Sequence, residues 1–494
     1  MFKGLRERIK FTFIFLFQNY ISSIQARYDL VLRKNNIFIS PKKSLTRAAN
    51  VAMRIVQLLY KLWGSAMTTR ISALEKILMN NTVLENWFSP IKSALEKVRY
   101  SDNKFRAMGM LPFILQNCFR QLSETKTLRA HVQSLFHLDE NATQLPLARA
   151  TYSDALASKS RLDILDQTAS HVVRSSASSL PDRLSSISAL GNRPVYAMDG
   201  MYQEESSHFR KITPSEGGTD SAKGHLHLMV FDLRIGIPIH IDVDTSSISE
   251  IRFVKEEWRG SHLTCEKNAL WVVDRGFIDA DYWDKRNDSY GVTMITRMKS
   301  NLNYTVDKTN KVTCSNKKQG IKSDQIIKLE SSDKLWRLIG YQSDTGVYYE
   351  YLTNEMDLPS GVVAFMYHRR WDEEKYFDNY KNDLCGAKAW GKTRIAILQQ
   401  AIIGMLTFIL TRLFSDKHAK EFDLDTNGNT QKRKHELKQE KYTEGKIKDH
   451  LRAYHTNLSK ITRQVWRFLK ACMLYKSREK LYQSQLKPMM SSYL

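Results

Sequence analysis

Cysteine is scarce in this chain of 494 residues: Cys118, Cys265, Cys314, Cys385 and Cys472 are scattered, odd in number and form no CxxC pair. That excludes a disulfide framework and the usual zinc spacings, and it fits a reduced, cytosolic compartment. No glycine-rich phosphate loop occurs, so nothing points to a nucleotide cofactor. Internal repeats are absent. Acidic residues are in deficit, with 52 Asp and Glu against 75 Lys and Arg, a net charge of +23 and a pI near 9.6. Apolar material is not lacking: 42% hydrophobic and 11% aromatic residues exclude a disordered chain and supply several packed interiors.

The position of the excess charge matters more than its size. Residues 1–190 carry a net +14, residues 191–400 a net −1 and residues 401–494 a net +10. A nearly neutral middle between basic flanks suits a polyanion gripped at both ends and processed between them, because cationic side chains displace counterions from phosphates. The blander reading is that the charge serves solubility or touches a membrane.

Two apolar stretches bear on that reading. Phe11 to Phe17, preceded by Lys3, Arg6, Arg8 and Lys10, imitates a signal peptide, but no small-residue cleavage site follows before Gln18-Asn19-Tyr20. Ile395 to Phe414 has the length of a membrane span. It contains Gln399, Gln400, Thr407 and Thr411, so a buried helix is expected and no membrane partner.

Residues 1–190 read as a basic helical region, with helical spacing at Val51 to Trp63 and Ser72 to Leu78 and boundaries at Asn81-Thr82 and Ser101-Asp102. A serine-rich run, Ser175 to Ser188, reads as a domain boundary. Strands follow: Val195 to Met198 into Asp199, a hairpin from His225 to Val243 turning at Arg234-Ile235-Gly236, Ala269 to Val273 into Asp274, and Gly291 to Met298. Short β-like runs then fill 300–360 (Tyr304 to Val306, Lys311 to Thr313, Gln325 to Leu329, Leu335 to Tyr341, Val347 to Leu352) before helices resume near Val363. The expected organisation is α/β. It comprises a DNA-binding region 1–190, a core split into 191–299 and 361–415, a β-rich insertion 300–360, and a basic helical end 416–494 with a charged run from Lys432 to Lys448.

Asp199 and Asp274 each follow an apolar strand, with Gly200 and Gly276 close behind to let the backbone turn away. An acid at that position serves equally as a metal ligand or as a turn residue. From Tyr367 to Lys381 a single helix is expected. At about 100° per residue, Tyr367, Arg370, Glu374 and Lys381 fall within roughly 60° of arc, beside an apolar stripe that includes Met366, Phe377 and Tyr380. The line of tyrosine, cations and carboxylate fits a metal ligand flanked by phosphate-holding cations. It fits equally a surface helix with an Arg370–Glu374 salt bridge four residues apart.

The spacing Tyr-x2-Arg-x3-Glu-x6-Lys resembles the Y-R-E-K signature of a large family of bacterial insertion-sequence DDE transposases, which includes those of well-known composite antibiotic-resistance transposons. Asp199-Gly200 resembles the family's first-aspartate motif, and Val272 to Phe277 its second. The separations of 75 and then 100 residues also fit, because the family places a β-rich insertion before the glutamate.

The resemblance implies a ribonuclease-H-like mixed-sheet core in which Asp199, Asp274 and Glu374 hold two divalent metal ions, Mg²⁺ with Mn²⁺ able to substitute. It further implies that Tyr367, Arg370 and Lys381 contact DNA phosphates, and that Trp371 and, more remotely, Trp336 are candidates for stacking on a flipped base. The implied partners are transposon-end inverted repeats and target DNA, bound by a homodimer on paired ends in the bacterial cytoplasm at the nucleoid. The implied activity is end cleavage followed by strand transfer, of cut-and-paste type. The alternatives are a ribonuclease-H-like nuclease without strand transfer and a non-catalytic, transposase-derived DNA-binding protein. His240, Asp242 and Asp244 alternate along one strand and are read as solvent-facing, as are His225 and His227.

Overall fold

The computed structural model describes most of residues 82–122, 149–204, 224–244 and 249–424, with short pieces at 462–469 and 486–490. The chain divides into two compact units, 1–66 and 67–494, and every described residue belongs to the second. The apolar run at Phe11 to Phe17, the helices expected over 51–78 and the charged run of 432–448 lie outside the described residues.

Among the described residues four α-helices precede the sheet: α1 (Thr82–Leu95), α2 (Met110–Leu122), α3 (Arg149–Leu156) and α4 (Lys159–Ala177). The first starts at the boundary expected at Asn81-Thr82, and the second runs from Met110; most of residues 102–107, which follow the boundary expected at Ser101-Asp102, lie outside the described residues. Ser158 caps α4 by accepting from the Arg161 N–H at 3.4 Å. The serine-rich run does not separate one body from another. Leu180 and Leu184 are buried in the common core, and the Arg183 N–H donates to the Arg234 carbonyl at 2.8 Å.

The sheet begins with β1 (Val195–Glu204), β2 (Gly224–Asp232) and β3 (Ile237–Asp244), an antiparallel meander. The β2–β3 turn lies where Arg234-Ile235-Gly236 predicted it, with Gly236 at φ +71°, a left-handed conformation that favours glycine. After α5 (Glu250–Glu256) comes β4 (Leu270–Val273), and after α6 (Ala280–Tyr290) comes β5 (Thr293–Arg297). β4 runs parallel to β1, and β5 parallel to β4. The order β3-β2-β1-β4-β5 is a ribonuclease-H-like arrangement.

The β-rich segment comprises β6 (Tyr304–Thr309), a short helix α7 (Cys314–Lys318), β7 (Ile321–Leu329), β8 (Leu335–Gln342) and β9 (Tyr348–Thr353). No strand forms at Lys311 to Thr313; Thr313 instead caps α7. The segment is not a separate body. β9 pairs antiparallel with β5, so the sheet continues without a break to nine strands. After the sheet come α8 (Ser360–Arg369), α9 (Trp371–Asn382) and α10 (Arg394–Glu421) among the described residues.

Alternation along the strands divides the interior in two. Ala197, Met229 and Val272 face a core shared with α4, α8 and α10, while Met198, Trp271 and Val273 face a second core with Phe253 of α5 and Trp283 of α6. α10 is the one described helix long and apolar enough to cross a membrane, and nearly all of that stretch is buried inside the protein. Several of its polar groups are matched locally: Gln399 Nε2 donates to the Leu156 carbonyl at 2.7 Å, Gln400 Oε1 accepts from the Trp390 N–H at 2.7 Å, and Thr411 Oγ1 accepts from Trp87 Nε1 at 3.2 Å.

The added strands are bolted to α8 by one buried ion pair. Arg337 of β8 reaches Asp324 of β7 through Nε at 2.9 Å and Nη2 at 2.6 Å, and donates to the Leu358 carbonyl at 2.6 Å. Ser360, the first residue of α8, donates to the same carboxylate. Burial alone would raise the Asp324 carboxyl, but the bonds from Arg337, Ser360 and Asn310 hold it below its ordinary value. A carboxyl depressed in the folded state adds stability above that ordinary value of 3.8, and the contribution is lost as pH falls through the folded pKa beneath it. Asp324→Ala should cost about 3–5 kcal/mol by stranding Arg337. Denaturant titration across pH reads both effects: the acid-side decline assigned to this carboxyl should vanish in the variant.

Candidate active site

Met198 of β1 and Val273 of β4 are register partners in parallel strands, so the residues that follow them, Asp199 and Asp274, come out side by side. Asp274 stands just past β4, in extended conformation before a tight 3-10 turn at Arg275–Phe277, as its sequence suggested. Asp199 does not. β1 continues through it to Glu204, Asp199 pairs with Met229, and Gly200 pairs with Leu228 rather than turning the chain away.

The helix expected from Tyr367 to Lys381 is interrupted. α8 ends at Arg369 and α9 starts at Trp371; Arg370 lies between them in right-handed helical conformation, its N–H donating to the Tyr367 carbonyl at 3.2 Å. From this break the buried Arg370 side chain reaches both sides of the site. Nη1 lies 2.6 Å from Asp199 Oδ2, and Nη2 lies 2.6 Å from Glu374 Oε1. The Arg370–Glu374 pair weighed as a surface salt bridge therefore exists, but the arginine is only 8% exposed and shared with a strand carboxylate, whereas Glu374 is 44% exposed. Burial opposes the Arg370 charge, and Asp199, Tyr367 and Glu374 more than offset it, so its pKa is raised.

The other signature residues separate. Tyr367 is buried, its ring 5.0 Å from that of Tyr351 and 5.7 Å from the Arg370 guanidinium, so it supports the arginine from the core side. Lys381 is exposed near the end of α9, seven residues beyond Glu374, which is about 10 Å along a helix. The Trp371 side chain lies outside the described residues. Trp336 is a correction: at 1% exposure it belongs to the second core, with Nε1 donating to Ser332 Oγ at 3.2 Å, and it presents no face to a base.

The strand residues read as solvent-facing are also corrected. Asp242 is wholly buried and held by Arg259, whose N–H and Nε lie 3.0 and 3.1 Å from its oxygens. His240 packs edge-on to Trp258 at 5.7 Å, and burial lowers it to about 4. His227, with Nε2 3.0 Å from Gln203 Oε1, is lowered to about 3, chiefly by burial. Asp244 and His225 are buried too. The cause is that both faces of the hairpin are covered by the two cores, not one.

Glu250 is the residue that sequence reasoning missed. It opens α5 on the far face of the sheet, and its carboxylate lies against the backbone behind both aspartates. A Cβ on Gly200 would come within 2.1 Å of Oε1, and one on Gly276 within 2.2 Å of Oε2. Burial, then the Asp199 and Asp274 charges, push Glu250 up to about 7. Asp199 is pushed up to about 6, first by burial and then by Asp274 and Glu374, against the pull of Arg370 and the Gly200 N–H. The only sequence signal was an acid in a first helical turn, which any helix favours.

These acids are all hard oxygen donors, the set that suits Mg²⁺, which takes only one or two protein carboxylates and fills its shell with water and phosphate. Among the described residues no three such groups are gathered tightly enough to hold a metal ion as they stand, and Arg370 occupies the space between Asp199 and Glu374. A divalent cation fits the excess of carboxylate over cation, and would lower both raised carboxyls.

Residues 193–410 match the family model described as a transposase DDE domain. No curated protein matches the chain. Among solved structures, the piggyBac transposase synaptic complex with hairpin DNA is similar over 85% of both chains, at 10% identity and a TM-score of 0.36. So distant a likeness says nothing of individual residues.

Removing the shared cation should expose the cost of the carboxylates. Arg370→Met should destabilise the metal-free protein by about 3 kcal/mol, the order expected for charge left unpaired inside. Mg²⁺ should restore stability more in the variant than in the unaltered protein, read as paired thermal-unfolding shifts; equal shifts would contradict the shared-cation reading.

Proposed function

We propose that this DNA transposase, with its DDE domain in the middle of the chain, cuts DNA at transposon ends and joins the freed ends to target DNA in cut-and-paste fashion. The observation that carries the reading is that one buried arginine joins Asp199, which lies beside Asp274 on the adjacent parallel strand, to Glu374 of α9. DDE transposases generally work with divalent metal ions; here Asp199, Asp274 and Glu374 would hold two, Mg²⁺ in the cell. When bound, the ions supply activation of the attacking water or 3′-hydroxyl and stabilisation of the leaving oxygen.

The chain's own residues supply position and charge. Arg370 neutralises Asp199 and Glu374 before DNA arrives, and its two-pronged guanidinium can then exchange a carboxylate for a phosphate oxygen of similar geometry. Tyr367 holds that guanidinium on its ring, and Lys381 offers a cation farther along the backbone path. Arg297, at the end of β5 next to β4, is a further cation on this rim that the sequence reading did not single out. The basic flanks, net +14 over residues 1–190 and +10 over 401–494, suit binding of paired ends by a homodimer in a bacterial nucleoid.

The test uses purified full-length protein, Mg²⁺ or Mn²⁺, and labelled DNA carrying the repeats that flank the gene. Cleavage and joining should occur with the unaltered protein, and Glu374→Ala should bind the DNA yet cut it on the order of 10³-fold more slowly or worse. Binding without cleavage by the unaltered protein with either metal would favour a non-catalytic relative. Cleavage without joining would favour a simple nuclease.

A further inference from the structure

We propose that Glu250 is a fourth carboxylate of the metal centre, holding a divalent ion with Asp199 and Asp274 from the face of the sheet opposite Glu374. The inference rests on the metal-dependent reading above. Three observations carry it. The Glu250 carboxylate occupies a cradle that exists only because residues 200 and 276 are glycines, one directly after Asp199 and the other two residues after Asp274. Any side chain at either position would expel it. Among the described residues no Lys or Arg forms an ion pair with Glu250, whereas Asp199 and Glu374 share Arg370. Finally, Glu250 and Glu374 enter from different layers: α5 packs on the core of Met198, Trp271 and Phe253, while α9 lies with the core of Ala197 and Val272. Two aspartates at adjoining strand ends, flanked by a glutamate from each face, offer oxygen donors on both sides of the strand edge. A structural glutamate beside two aspartates would cost the fold through like-charge repulsion in its ionised form, a cost that a bound cation removes.

Calorimetric titration of the full chain with Mn²⁺, alongside thermal unfolding with and without it, tests this. Glu250→Gln should weaken Mn²⁺ binding at least about tenfold, the scale on which support of a metal site is felt. It should leave metal-free unfolding unchanged or raised, and shrink the Mn²⁺-induced rise. Gly276→Ala, which keeps the glutamate but fills its cradle, should weaken Mn²⁺ binding likewise. If the unaltered protein binds Mn²⁺, Asp199→Ala abolishes it and Glu250→Gln binds as before, the inference is overturned and the three-carboxylate reading stands. If the unaltered protein binds no Mn²⁺, both fall.

Discussion

The buried guanidinium of Arg370 is held 2.6 Å from carboxylates in two distant regions of the chain, Asp199 on β1 and Glu374 on α9. Carboxylates crowded at the edge of a buried sheet repel one another, and no arrangement of the strands alone relieves that. The arginine lowers that cost, yet burial first and the neighbouring carboxylates after it still hold Asp199 up at about 6 despite so close a cation. The fold therefore leaves a demand for positive charge at one point, which the proposed metal ions would meet.

The rest of the structure keeps that point in place. Parallel pairing of β1 and β4 fixes the two aspartates side by side. The break between α8 and α9 lets the arginine reach back to the sheet while Glu374 follows one turn later. α8 is anchored at its start through Ser360 to Asp324 and Arg337, so the β-rich strands brace the helix that carries Tyr367 and leads into Arg370. On this view the extra strands serve the site mechanically, by continuing the sheet, and the buried Trp336 belongs to that bracing.

Much of this was legible in the sequence, for reasons that can be named. The hairpin at Gly236, the strands ending near Asp274 and Arg297, and the run of short strands over 321–353 follow from alternation and turn residues. Asp274 at a strand end was legible in the same way, and the four-residue spacing of Arg370 and Glu374 foretold their ion pair. The break at Arg370 was not legible, since from Val362 to Lys381 there is neither glycine nor proline to mark it. Nor was the burial of His227 and Asp242, because a strand's alternation does not say whether its second face is covered. Glu250 was hidden because what distinguishes it is the missing side chains of two glycines remote in sequence.

The most direct test is crystallographic: Mn²⁺ bound to the protein and located by its anomalous scattering. A peak about 2 Å from oxygens of Asp199 and Asp274, with Arg370 withdrawn from Asp199, is the result this account requires. Manganese absent from that edge at saturating concentration, with Arg370 still bridging Asp199 and Glu374, would contradict it.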